Sequence, residues 1–399
     1  MKPPLQGIRV LDLSTVLSGP IAAALLADQG AEVTKVESPE GDTSRYVGPA
    51  KGDLSAMYIA VNRGKRSIAL DLKAPGARPI LERLVQRADV LINNFRPGVM
   101  ARLGLADEQL AALNPRLVRL SITGYGTVGP AAGDKVYDTV VQAVGGVAAT
   151  QRDAATGHPT LLSTAVCDKL TAITGAQAVL SALFARERDG LGHRIDLSML
   201  DAVLAFQWPD AMYNHVFMDE PPPPFPEFGM TMKPWKTRDG FVATMAPQQA
   251  EFIGLCKALG REDIAADPRF ESLRMRSRHS RELRALLEPL MAAFTTDELV
   301  AKCREHGSPI GRVNERHEVL ADAQVQASGA LQEIEHGDAG RVRLAGYPGR
   351  FDGERLPPPG PAAHLGQHGP EILAELGFNA AATEQFIRDG VVRLPSTAT

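Results

Sequence analysis

Cysteine is scarce in this chain. Cys167, Cys256 and Cys303 are the only three in 399 residues, and their wide spacing matches no metal or redox motif. That usage excludes a disulfide framework and fits a reducing compartment. Positive charge is not in excess either. With 43 Lys and Arg against 47 Asp and Glu, the net charge of −4 leaves no footprint for nucleic acid or an anionic membrane. No run of 18 apolar residues could span a bilayer, and the opening MKPPLQGIRV lacks the charged-then-apolar layout of a secretory signal. The expectation is a cytoplasmic protein. A further absence is local. The turn after the first predicted strand reads STVLSGP, without the three glycines that bring a dinucleotide pyrophosphate up to a helix start, which argues against a nicotinamide dehydrogenase. What remains is ordinary for a globular protein: 44% hydrophobic and 23% charged residues, with length for two or three domains.

The first half of the chain alternates strands and helices. Ile8 to Leu13 and Glu32 to Glu37 read as strands flanking an alanine-rich helix that Gly19-Pro20 opens, since proline fits a first helical position. Such a start predicts a parallel sheet with right-handed crossovers. In NRGKRSIALDLK, the cations Lys65, Arg66 and Lys73 bracket a short strand. Another strand, Asp89 to Asn93, runs into NNFRPGVMARLGL, which offers amide, aromatic and guanidinium groups at a strand's carboxyl end, where open α/β sheets bind ligands. Leu117 to Thr123 repeats the unit and ends in GYGTVGP, followed by Lys135-Val136-Tyr137-Asp138. The proline runs at Pro221 to Pro224 and Pro357 to Pro361 read as stiff linkers around a middle segment of hairpin and helices.

The stretch from Ser163 to Ala202 predicts a helix from about Asp168 to Arg186, then a short strand. Leu170, Ile173, Leu180, Leu183 and Phe184 recur at helical spacing and predict its core face. Asp168 shares another face with Ala172, Gly175, Val179 and Ala182, small enough to let a bulky group approach the carboxylate. Two roles are open to it: an N-terminal helix acid favoured by the helix dipole, or a carboxylate nucleophile.

The blocks IRVLDLSTVLSGP, NRGKRSIALDL, NNFRPGVMARLGL, GYGTVGP, DKVYD, GLGHRIDLSMLDA, SPIGRVN and HLGQHGPEILAELG resemble, in order and over nearly the whole chain, the family III CoA-transferases. The resemblance implies an α/β fold. A Rossmann-like large domain would be built from both chain ends, around a smaller α+β middle domain, in an interlocked homodimer. The corresponding boundaries are 1–215 for the large CoA-binding domain, 216–228 for a Pro-rich linker, 229–330 for the small domain and 331–399 for the return. It implies an enzyme that moves CoA from an acyl-CoA, succinyl-CoA being one candidate, to a free carboxylic acid through an aspartyl-CoA thioester. Asp168 falls on the nucleophile. The family's CoA contacts fall on Val16, Leu70, Lys73, Asn94, Phe95, Arg96, Arg102 and Lys135. CoA is bound as part of the substrate, and the resemblance implies no metal and no separate cofactor. Leu17 and Ser38 stand where formyl-CoA transferase has glutamine and arginine, and its glycine loop has no match near Phe228 to Lys236, which argues against oxalate as acceptor. A racemase of the same fold would need a histidine where Tyr137 stands, and tyrosine, with a pKa near ~10, is a poor base at neutral pH. An acyl-CoA racemase or epimerase and a non-catalytic acyl-CoA-binding protein are therefore the alternatives. Arg45 is expected at the surface.

Overall fold

Seven strands form the central sheet of the computed structural model, which describes residues 2–153, 155–230 and 232–395. In chain order these include β1 (Arg9–Asp12), β2 (Glu32–Glu37), β3 (Lys65–Leu70), β4 (Val90–Asn93), β5 (Val118–Thr123) and β6 (Arg194–Ser198). The spatial order is β3-β2-β1-β4-β5-β6, all parallel, with Val392–Arg393 added antiparallel on the β3 edge. Leucine, isoleucine and valine fill the strands because both faces are covered, as parallel sheets require. Alternation then sorts the side chains. Val10, Val33, Val90, Val118 and Leu120 join one core, and Leu11, Val36, Ile68 and Leu91 the other. The sheet order reverses at β1, whose neighbours β2 and β4 leave in opposite directions. Outside the carboxyl ends of β1 and β4, that reversal opens a crevice where doubly wound sheets take ligands.

Four helices matter for the site: α1 (Ser18–Ala27), α2 (Ala77–Arg87), α3 (Asp138–Val144) and α4 (Val166–Asp189). Helix α2 buries Ile80, Leu81, Leu84 and Val85 in the second core. Helices α1 and α4 pack together in the first. The face that α4 buries is only partly the leucine-rich one: Leu183 is buried and Leu170 and Leu180 pack against the first core. Ala172, Gly175, Ala176, Val179 and Ala182 are buried, whereas Ile173 and Phe184 are 58% and 68% exposed. The reason lies in the partners. Helix α1 presents fully buried Ala22, Ala23 and Ala24, so the two helices approach closely only if α4 is equally lean. A Cβ at Gly175 would stand 3.0 Å from Leu120 and 3.4 Å from Leu197, so the missing side chain serves packing on the sheet rather than space beside the carboxylate.

The chain divides into two compact units, one of residues up to Phe206 and from Ser328 onward, the other from Gln207 to Ala327. In the first, the returning segment closes the structure. Gly366 N–H donates to Ser67 Oγ, His336 Nε2 accepts from Ala362 N–H at 2.9 Å, and Val392–Arg393 completes the sheet. The second unit has a three-stranded antiparallel sheet (Trp235–Lys236, Phe241–Thr244 and Ile310–Arg312). Its own core includes Val242, Phe252, Leu255, Phe270, Met291, Leu299 and the buried thiols Cys256 and Cys303. Among the described residues, no helix is long and apolar enough to cross a membrane.

Candidate functional site

A cleft of about 250 Å³ lies at the carboxyl ends of β1, β4 and β5. Its lining comes from three sources: Val16 and Ser18 after β1, Asn94, Phe95 and Arg96 after β4, and Lys135, Tyr137 and Asp168 from beyond β5. Asp168 stands in the first turn of α4, where the helix dipole favours its ionised form. Its own amide donates to Asp138 Oδ2 at 3.0 Å. The hydroxyl and amide of Ser18, the first residue of α1, favour the ionised form of its carboxylate. Two opposing influences therefore meet on one group. Burial, followed by repulsion from Asp138, raises the carboxyl from 3.8 to about 6, and the Ser18 donors hold it from going higher. At pH 7 to 8 it is still ionised, but more basic than an exposed carboxylate. That combination suits a nucleophile.

Asp138 and Gln142 form the support beneath it. Asp138 opens α3 and is buried, with Oδ1 accepting from Gln142 Nε2 at 2.6 Å. Gln142, also buried, accepts Leu162 N–H at 2.8 Å on Oε1. The pair fixes the segment entering α4 and so the height of Asp168. Neither Gln142 nor Ser18 carries an identifiable signal in the sequence alone, and Asp138 shows only as the residue after Tyr137. Cys167, adjacent to Asp168, is no competitor as nucleophile: burial, with the carboxylates of Asp138 and Asp168, pushes its thiol up to about 12.

The turn between β1 and α1 is the strained part of the site. Val16 has φ +70°, a left-handed conformation that costs a β-branched residue about 1–3 kcal/mol. Around it, Asn94 grips Thr15 twice, accepting its N–H at 2.9 Å and donating to its carbonyl at 2.7 Å. The chain can turn this tightly because Gly19 has no Cβ. One placed there would lie 2.2 Å from Ser14 Cβ.

A family model described as CoA-transferase family III matches residues 5–369. The chain belongs to that family. It is an enzyme by the same relationship, with relatives at 30–38% identity over most of its length. It is 38% identical to a succinate–glutarate CoA-transferase of Agrobacterium fabrum over 94% of this chain and 96% of that one. It is 31% identical to a formyl-CoA:oxalate CoA-transferase of Escherichia coli, over 95% and 97%. A crystal structure of a CAIB/BAIF family protein from Brucella suis superposes with TM-score 0.79 and 33% identity, covering 94% of this chain and all of that one.

The residues that the family III resemblance nominates for CoA are not all brought together. Val16, Asn94, Phe95, Arg96 and Lys135 line the cleft with Asp168. Lys73 and Arg102 are exposed but outside the lining, Lys73 just beyond β3 and Arg102 on the short turn Val99–Arg102 after β4. The strand that Lys73 follows, β3, is two strands from β1, about 10 Å along the sheet. Leu70 is different: it is the buried last residue of β3, paired with Val392, and its side chain is closed to any ligand. Lys73, Arg96, Arg102 and Lys135 share one property. None makes an ion pair among the described residues, although most other arginines here do.

The two neighbouring cations of NRGKR are committed elsewhere. Lys65 is buried, donating to Asp12 Oδ2, Pro20 O and Asn62 Oδ1. Burial brings it down to about 8 against the pull of Asp12. Arg66 forks onto Glu375. They hold the fold and are not open to phosphate. Arg45 is likewise no surface residue. It is 2% exposed, bidentate to Glu37, bonded to Asp53 and Ala363 O, and stacked over Tyr58. No histidine lines the cleft among the described residues. His193 pairs with Asp189, His364 with Asp53, and His368 Nδ1 accepts Ser67 N–H. Of the stretch Phe228 to Lys236, where the sequence has no match to the glycine loop of formyl-CoA transferase, Thr231 lies outside the described residues.

Proposed function

We propose that this protein transfers CoA from an acyl-CoA to a free carboxylic acid, with Asp168 as the covalent carrier. The observation that carries the proposal is the Asp168 carboxylate itself: raised to about 6, still ionised at neutral pH, held by Ser18 and open to a cleft bearing Arg96 and Lys135. The carboxylate attacks the thioester carbonyl and expels CoA thiolate, giving a mixed anhydride of Asp168 and the donor acid. The thiolate then attacks the aspartyl carbonyl, releasing the donor carboxylate and leaving an aspartyl-CoA thioester. The acceptor carboxylate repeats both steps in reverse. Each step exchanges one carboxylate for one thiolate, so atoms and charge balance without a metal or a redox cofactor. Contacts to the non-reacting CoA handle offset part of the uphill first step. Asn94 and Phe95, with the unpaired cations Arg96, Arg102, Lys73 and Lys135, are the residues we assign to that handle, whose phosphates need donors and positive charge.

Relatives named for succinate and glutarate support short dicarboxylates as the acids exchanged. Among the described residues no histidine base lines the cleft, which favours transfer over proton abstraction at the α-carbon. Exposed Ile173 and Phe184, eleven residues apart and so on one side of α4, support a homodimer that covers them, and the three free cysteines support a reducing compartment such as the cytoplasm. The test is incubation with succinyl-CoA and a panel of free acids, read by mass spectrometry of the CoA products. Borohydride or hydroxylamine trapping of the intermediate accompanies it. We expect new acyl-CoAs and an adduct on Asp168. Turnover with no adduct on Asp168, or exchange of the α-hydrogen without an acceptor acid, would overturn the proposal.

A further inference from the structure

The turn Ser14–Leu17 carries two duties at the site, since Val16 lines the cleft and the next residue, Ser18, holds Asp168. Its shape is not one the local chain prefers. Three side chains bind its first two residues. Asp12 Oδ1 accepts Ser14 N–H at 2.9 Å, Lys35 Nζ donates to Ser14 O at 2.8 Å, and Asn94 clasps Thr15. The left-handed residue itself is reached by a fourth. Val16 N–H donates to Asp42 Oδ1 at 3.1 Å, across 26 residues of sequence. Asp42 is 2% exposed and is itself firmly held. Its amide donates to Glu37 Oε2, its Oδ1 accepts both Ser44 N–H and Ser44 Oγ–H at 2.8 Å, and its Oδ2 lies 2.9 Å from Lys35 Nζ. A strained residue persists only where surrounding structure over-determines it, and such residues gather at functional sites.

We propose that Asp42 is a positioning residue of the active site. Through the Val16 amide, and through Lys35 onto Ser14, it holds the β1–α1 turn in the left-handed shape that sets Val16 against the ligand and Ser18 against Asp168. Asp42 touches neither substrate nor the reacting atoms. The functional consequence rests on the CoA-transfer reading above; the conformational claim does not.

The alternative is that Asp42 only neutralises buried Lys35. Three variants separate the two: Asp42→Asn, which keeps an acceptor for the Val16 amide and loses the charge, Asp42→Ala, which loses both, and Asp42→Ala combined with Val16→Gly. Glycine adopts positive φ freely, so it removes the need for the clamp without restoring a partner to Lys35. CoA affinity by calorimetry, KM for succinyl-CoA and borohydride trapping at Asp168 are measured on each, beside crystal structures. We expect Asp42→Ala to weaken CoA binding and trapping about tenfold. Asp42→Asn should lose less, and the added Val16→Gly should recover most of the loss without recovering thermal stability. If Asp42→Ala does not fold, Asp42→Ala is combined with Lys35→Met, which removes the cation left without Asp42, and that pair is compared with and without Val16→Gly. No recovery by glycine, or a crystal structure of an Asp42 variant in which Val16 keeps its positive φ and Ser18 its contact, overturns the proposal. Wild-type protein that fails to bind CoA would instead count against the proposed function, leaving the structural comparison to decide the role of Asp42.

Discussion

Replacing Asp168 by asparagine is expected to make the protein more stable while abolishing transfer. The reasoning starts from the carboxyl, lifted from 3.8 to about 6 by burial and by Asp138. A carboxyl with a raised folded-state pKa prefers to be protonated in the native protein, so keeping it ionised above pH 6 costs folding energy. The cost is full above the folded-state value and absent below the unfolded one. A rise of this size corresponds to about 3 kcal/mol at pH 7.5. Asparagine carries no charge, its oxygen can accept the Ser18 donors, and its amide nitrogen can donate toward Asp138. Imperfect fit of the new amide reduces the gain, leaving about 1–3 kcal/mol. Thermal melts of Asp168→Asn and wild type, at matched protein concentration, check this between pH 4 and 8. The variant should melt a few degrees higher at pH 7.5. The gap should narrow through pH 6 and close near pH 4, where both side chains are neutral. Titrations elsewhere in the chain are common to both proteins and cancel. A variant no more stable at pH 7.5, or a gap that does not change with pH, would refute the account of Asp168.

Ser18→Ala removes a donor to the ionised carboxylate, so the acid limb of kcat/KM should move upward by about 0.5–1 pH unit, with the alkaline plateau less affected; a downward or absent shift contradicts the assignment. Arg96→Ala and Lys135→Ala should each raise KM for acyl-CoA about tenfold or more with little change in melting temperature. Lys65→Met should do the opposite, lowering stability by about 3 kcal/mol because buried Asp12 loses its nearest cation and keeps only Lys35 at 4.0 Å and Ser14; steady-state kinetics beside thermal melts checks both. Ile173→Glu with Phe184→Glu should shift the mass in solution from dimer to monomer by light scattering, and an unchanged mass would remove this face from the interface.

Much of the sheet is legible in the chain. Continuous apolar runs at Ile8 to Leu13 and Asp89 to Asn93, separated by helices, leave few options other than a parallel doubly wound sheet. The position of Asn94, Phe95 and Arg96 at a ligand-binding edge follows from their place after a strand. The middle hairpin from Trp235 is readable too, because alternation over a short run has one structural meaning. The face of α4 is legible only in part, since Leu170, Leu180 and Leu183 pack inward but Ile173 and Phe184 do not. Helical spacing nominates Leu170, Ile173, Leu180, Leu183 and Phe184 with good periodicity, and a hydrophobic pattern cannot say whether the partner is a helix of alanines or a second molecule. The partner decided it: α1 brings Ala22, Ala23 and Ala24, only small residues allow that approach, and Ile173 and Phe184 are left outward.

The same division runs through the charges. Residue types and their places along the chain say which side chains can carry chemistry: a carboxylate at a helix start, cations after strands, and no histidine beside Tyr137. They cannot distribute the cations between fold and ligand. Lys65 and Lys73 lie eight residues apart in one motif, yet strand β3 carries Lys65 inward to Asp12 and leaves Lys73 exposed just past the sheet edge. Burial and partner, the quantities that set a pKa, belong to the packed chain. That is why Asp168 becomes a basic carboxylate only when Asp138, 30 residues earlier, and Ser18, on another helix, are folded against it.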